Sequence, residues 1–430
     1  MASIAPLRGI RYDPAQVNLG NCLAPPYDVI SDAERAELYT RDLRNIVRID
    51  YGETYRDDVP GQNDRYARAA GHLRSWLELG ILQQDPRPAV YVYDHTFRTL
   101  DGRSLTRRGI FFRVRALPWE QADVIPHEHT MRDPKEDRLA LMRATSTQTS
   151  PVFLLWRGAA GVGNAIAVST DRPPDAAAET DGEVARERHR LWMIDDPGAV
   201  AALAQALGPA RLYMADGHHR FESAAAYALE RGAADPAPGA DAPYHWTLAC
   251  ASAFDDPAIE ILPTHRLVRQ GFGAPDRLSA LLPRLRPRFF VELRYSLEEA
   301  YAGARALRAK DGRHAFAIGA RDGAALVHTA RDPSVTSPRA RLDVSVVEDA
   351  ILLEACGIGR DAISHGALEY TRTVDGATAA LASGEAALAI CVNPCTAQEV
   401  IDVSDAREQM PQKSTYFYPK VPTGLVLNPV

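Results

Sequence analysis

Lysine is nearly missing from this chain. Of its 49 basic residues only Lys135, Lys310, Lys413 and Lys420 are lysine, and the rest are arginine. Where arginine is the default, a lysine suggests a position that asks for a compact ammonium rather than a planar fork. Cysteine is also scarce: the five are Cys22, Cys250, Cys356, Cys391 and Cys395, and no CxxC pair occurs. That argues against a disulfide framework or a zinc ribbon and fits a reducing cytoplasm. No apolar run approaches the ~18 residues of a membrane span. The opening "MASIAPLRGIRY" has no apolar signal core, so export is not expected. Basic charge is not in excess either. The net charge of −7 argues against a nucleic-acid partner, which normally meets a basic face.

What is present reads as an α/β protein with mixed sheets. Ser31 and Glu34 form a capping box ahead of a short helix, and a longer helix runs from about Asp64 to Leu79 with Gly80 after it. Two strands follow, joined through Asp101-Gly102, a hairpin signal. Further on, "SPVFLLW" and "RLYMA" read as buried strands. Gly158 to Glu183 reads as an irregular excursion or hairpin, and Asp196, Pro197 and Gly208 bound another helix. The pattern suggests three regions, 1–116, 117–270 and 271–430, the first and last α/β and the middle one carrying the chemistry.

The densest chemistry lies in "RLYMADGHHRFESAAAYALERG", where a strand hands over to a helix that Gly232 is expected to cap. The first-turn N–H groups of a helix attract anions, a glycine lets a phosphate approach, and Arg220 and the histidines add donors. Asp216, Gly217, His218, His219 and Arg220 are thus candidate phosphate binders. Asp216 as a plain N-cap, with the histidines as turn residues, stays open beside that reading. Upstream, "VIPHEHTMRDPKEDR" gathers His127, Glu128, His129, Lys135 and Arg138. In an extended segment His127 and His129 share a face and could ligate zinc with His218 or His219.

The order of "PHE", "SPVFLL" and "ADGHHR" resembles the ParB/sulfiredoxin-like superfamily, and within it the free serine kinase branch. The resemblance implies a central nucleotide-binding region with Glu128 as base for a substrate hydroxyl and Asp216 to Arg220 as the phosphate loop. His127 and His219 join Glu128 as catalytic candidates, and Lys135, Arg138 and Lys413 join the loop as nucleotide contacts. Asp216 and Glu222 are the candidate contacts to magnesium. Over its whole length the chain also resembles the family called domain of unknown function 1015, through "APPYDVIS", "PHEHT", "KEDRL", "ADGHHRFE", "ILPTHRL" and "MPQKSTYFYPK".

These resemblances imply an ATP- or ADP-dependent kinase, with CTP as another candidate nucleotide, acting on a small hydroxyl-bearing metabolite such as free serine. A nucleotide-hydrolysing switch and a zinc-dependent hydrolase are the alternatives. Nucleotide and small substrate are the expected partners, with a second copy of the chain as a further one, and neither nucleic acid nor membrane.

Overall fold

The computed structural model describes residues 3–128, 132–159, 161–237 and 239–430. The chain forms two compact units that do not follow sequence order. The first gathers Met1–Pro126, Thr130–Glu260 and Pro419–Val430; the second gathers His127–His129 and Ile261–Tyr418.

The first unit is built on a nine-stranded mixed sheet. Its strands are β1 (Ile4–Ala5), β2 (Val90–Arg98), β3 (Ser104–Arg115), β4 (Val124–Ile125), β5 (Val152–Arg157), β6 (Ala176–Asp181), β7 (Arg186–Ile194), β8 (Arg211–Asp216) and β9 (Trp246–Ala253). They lie in the order β4-β8-β5-β9-β3-β2-β7-β6, with β1 on β3. The β4–β8 and β5–β9 pairs are parallel, and the other pairs are antiparallel. Strand β5, "VFLLWR", is buried along all but its last residue, as an unbroken apolar run in a sheet covered on both faces should be. Val152, Leu154 and Trp156 on one of its faces join Leu212, Met214, Phe112 and Phe221 in the main core.

Helices α1 (Asp32–Arg41), α2 (Arg65–Glu78), α3 (Arg132–Thr145), α4 (Val162–Ser169), α5 (Pro197–Leu207) and α6 (His218–Ala234) belong to this unit. The capping box of Ser31 and Glu34 is made in both directions, and Asp196 caps α5 with Pro197 behind it. Two expectations are corrected. Gly158–Glu183, expected to be an irregular excursion or hairpin, does supply β6, one arm of an antiparallel hairpin with β7, but also carries helix α4, because Val162 and Ile166 reach the core. Gly232 does not end α6: the helix runs on to Ala234 with Asp235 as its C-cap.

The second unit holds a six-stranded sheet. Its strands are β10 (His265–Arg269), β11 (Phe290–Arg294), β12 (His314–Ala320), β13 (Gly323–Thr329), β14 (Leu368–Thr371) and β15 (Ala386–Val392), in the order β11-β13-β12-β15-β10-β14. Helices α7 (Leu297–Asp311) and α8 (Val374–Ser383) pack on it through Leu297, Ala300, Ala377 and Ala380. A helix starts as an α-turn over Asp343–Val346 and widens into a π-helix over Val347–Ala355. No described helix is long and apolar enough to cross a membrane.

Candidate functional site

Strand β8 is buried from Leu212 to Ala215 and delivers Asp216 to the sheet end. Helix α6 is held by Phe221, Ala224, Ala225 and Ala228, an apolar stripe at helical spacing. Between them Gly217 turns the chain with φ 97°, a left-handed conformation that glycine adopts without a Cβ penalty. A Cβ there would also meet the Arg220 guanidinium at 3.1 Å. Gly217, the N-cap of this 17-residue helix, has no side chain with which to cap it, and a helix N-terminus attracts anions.

Asp216 accepts from Arg220 Nη2 at 2.5 Å and from the Lys420 ammonium. Burial would raise this carboxyl, but Lys420 and Arg220 outweigh it and hold the group well below the usual carboxylate range. Arg220 turns inward rather than out: it is 8% exposed and also donates to the Pro151 carbonyl. The cluster of one carboxylate and two cations therefore carries one net positive charge beside the start of α6. His218 is buried with its ring 6.1 Å from that of Trp119, and His219 is half-buried.

Arg138 is anchored beneath this loop. Its Nη1 donates to Asp50 Oδ1 at 3.0 Å, its Nε to Asp137 Oδ2 at 2.8 Å, and it lies 4.0 Å over the Tyr27 ring. Asp50 also accepts from Thr149 and Ser150. Arg138 thus orders three segments of the unit and has its guanidinium committed. Lys135 pairs with Glu222 at 2.8 Å, and the other Glu222 oxygen accepts from Trp119 Nε1 at 2.6 Å. Both carboxylates expected at magnesium, Asp216 and Glu222, are therefore engaged with cations.

The remaining candidates lie in the second unit. His127 is fully buried, with Nε2 3.1 Å from Thr415 Oγ1, and its carbonyl accepts from the Met410 N–H. Glu128 Oε1 accepts from the backbone N–H of Lys413 at 3.3 Å, where Lys413 has φ 54°. The "PHE" and "MPQKST" segments thus meet within one unit. His129 lies outside the described residues. Among the described residues, the group of metal-ligating side chains drawn together is His95, Glu187 and His189, with donor atoms within 4.8 Å of one another. None of the histidines considered for zinc belongs to it.

Lys420 was legible only in part. The rarity of lysine flags it, yet nothing local separates it from Lys413, and only the fold shows that Lys420 reaches Asp216. Asp50, in "NIVRIDYG", carries no sequence signal at all.

No curated protein matches the chain. Among solved structures it is similar to a point variant of free serine kinase in complex with ADP, at 12% identity and TM-score 0.37, covering 73% of this chain and 92% of that one. It is similar also to a conserved hypothetical protein from Pyrococcus furiosus, at 14% identity and TM-score 0.35, covering 73% and 95%. A C-terminally truncated SbnI from Staphylococcus aureus matches at 10% identity and TM-score 0.35, covering 73% and 85%. The family model described as "Protein of unknown function (DUF1015)" matches residues 4–345, and the chain belongs to that family.

Proposed function

We propose that the protein is a nucleotide-dependent phosphotransferase that phosphorylates the hydroxyl of a small metabolite. The observation that carries this reading is the start of α6: a helix N-terminus, opened by a left-handed Gly217, beside a carboxylate–two-cation cluster with one net positive charge. Phosphoryl transfer asks a protein mainly to position two reactants and offset charge on the transferring group. Helix N–H groups and Lys420 are suited to that task, with Arg220 holding Asp216 in place. With Asp216 and Glu222 tied to cations, neither is assigned a metal. Glu128 is the proposed base, oriented by the Lys413 N–H, and the likeness of "PHE" and "ADGHHR" to the free serine kinase motifs supports the same roles.

Calorimetric titration with ATP, ADP and CTP, with and without Mg²⁺, tests the reading. Lys420→Met should weaken nucleotide binding about tenfold, a loss of ~1.4 kcal/mol. Glu128→Gln should keep nucleotide affinity while transfer to free serine and related hydroxyl compounds falls by ~10²–10⁴. Failure of all three nucleotides to bind would remove the proposal, and undiminished transfer by the glutamine variant would remove Glu128 from it.

A further inference from the structure

The second unit contains a cavity of about 530 Å³, within the ~300–1,000 Å³ range of small-molecule sites. One part of its wall is apolar, formed by Val344, Leu352, Ile363, Leu368, Met410 and Pro411. The other part is charged and dominated by Arg266 on β10.

Arg266 is 3% exposed, and its hydrogen bond goes to the Thr264 carbonyl. Among the described residues no carboxylate lies within the 4.0 Å of an ion pair with it. The contrast with the other unit is direct, since buried Arg138 pairs with Asp50 and buried Arg220 with Asp216. A buried charge is costly unless it is paired, and an arginine fork facing a cavity matches the two oxygens of a carboxylate.

The neighbouring charges say which anion fits. Arg339 and Arg360 also line the cavity, but both face Glu348, at 3.5 and 3.6 Å, and Glu408 accepts from the Arg339 N–H and Ser337 Oγ. Among the residues lining the cavity, three guanidinium groups against two carboxylates leave a single positive charge, which a monoanion neutralises and a dianion overshoots. Two more polar groups lack partners among the described residues: the Tyr370 hydroxyl, whose residue pairs with Arg266 in the β10–β14 register, and the buried Gln409 Oε1. Glu348 and Leu352 come from the π-helix, an irregularity often found at functional sites.

We propose that this cavity binds a small monocarboxylate, its carboxylate on the Arg266 fork and its body against the apolar wall. The proposal does not rest on the phosphoryl-transfer reading, since it uses neither the α6 loop nor Glu128, although the Glu128 carboxylate acts on Tyr370 and Met410 bonds the His127 carbonyl.

Fluorine NMR on the full chain tests it with three probes: 4-fluorobenzoate, its uncharged isostere 4-fluorobenzamide, and 4-fluorophenyl phosphate. The benzoate resonance should shift saturably with a Kd below about 1 mM, and the benzamide should bind at least about tenfold more weakly. Arg266→Gln should abolish the benzoate shift. Because that change alters a buried group, Ile363→Trp, which narrows the cavity and leaves Arg266 in place, should also exclude the benzoate in a chain with unchanged circular dichroism. Equal binding of benzamide and benzoate would overturn the proposal. So would tighter binding of the phosphate, no saturation by any probe at about 10 mM, or benzoate binding untouched in both variants.

Discussion

Gly217 is constrained twice, by its φ of 97° and by the Arg220 guanidinium that a Cβ would meet at 3.1 Å. Gly61 is constrained once: its φ is 74°, but a Cβ there would meet nothing within 4 Å. Gly61→Ala should therefore cost only the backbone term, ~1 kcal/mol, and Gly217→Ala at least about 1 kcal/mol more. Urea unfolding of both variants measures the difference, and equal losses would show that Arg220 moves aside freely. Much of this loop was legible in the sequence, because a glycine between a buried strand and an apolar-striped helix announces its conformation. Its reason was only half legible. The sequence suggested room for a phosphate, whereas the structure adds a second demand, the Arg220 side chain against the glycine.

At the scale of the element, strands β2 and β7 place His95 directly opposite His189, with Glu187 bonded to His95 Nε2 at 2.7 Å. Burial raises the Glu187 carboxyl from its ordinary 4.5 to about 7, against the pull of His189 and Arg107. Burial lowers His189 to about 3, and His95 falls well below its ordinary range by burial and the nearby Arg107. The folded state thus keeps Glu187 protonated, so its stabilisation is present below about 4.5 and is lost as pH rises through 7. The histidines act oppositely: they are kept neutral, and their contribution is present above about 6.5 and lost as pH falls. Glu187→Gln should then gain ~2 kcal/mol over the parent at pH 8 and steepen the loss on acidification below pH 6.5. Unfolding free energies at pH 5, 6, 7 and 8 decide this, and parallel curves for the two proteins would refute it.

Local signals gave the elements that local chemistry controls. The Ser31–Glu34 box, the Asp101-Gly102 hairpin between β2 and β3, and the Asp196-Pro197 helix start all depend on residues within a few positions of one another. Helix α4 and strand β6 were illegible for the opposite reason. Their Ala-, Gly- and Pro-rich stretch has weak propensity, and its structure comes from the core that Val162 and Ile166 enter and from pairing with β7.

At the scale of the whole molecule, residues 419–430 return to the first unit after the second has been traversed. Leu427 bridges Ile10, Thr423 bridges Ala24, Asn428 pairs with Gln148, and Arg107 donates to the Pro419 carbonyl at 2.8 Å. Val421, Leu425, Val426 and Leu427 are each no more than 4% exposed. At ~1.5–3 kcal/mol for each buried aliphatic side chain, their loss is comparable to the whole stability of a domain. Deleting 419–430 should therefore unfold the first unit, read as lost hydrogen-exchange protection in β2, β3 and β9. Retained protection there would mean that this segment is an accessory. No periodicity announces such a return, because pairing across hundreds of residues leaves no local mark.

The return of Lys420 to Asp216 has a consequence in time as well as in space. During synthesis the Asp216–Arg220 turn emerges long before the lysine that shares its carboxylate, and the whole of Ile261–Tyr418 is made in between. Until then, Asp216 and Arg220 cancel, and the turn lacks its net positive charge. A ribosome-bound chain that has not yet reached Lys420 therefore cannot present the finished loop, and the proposed nucleotide site is assembled only after Lys420 has been made.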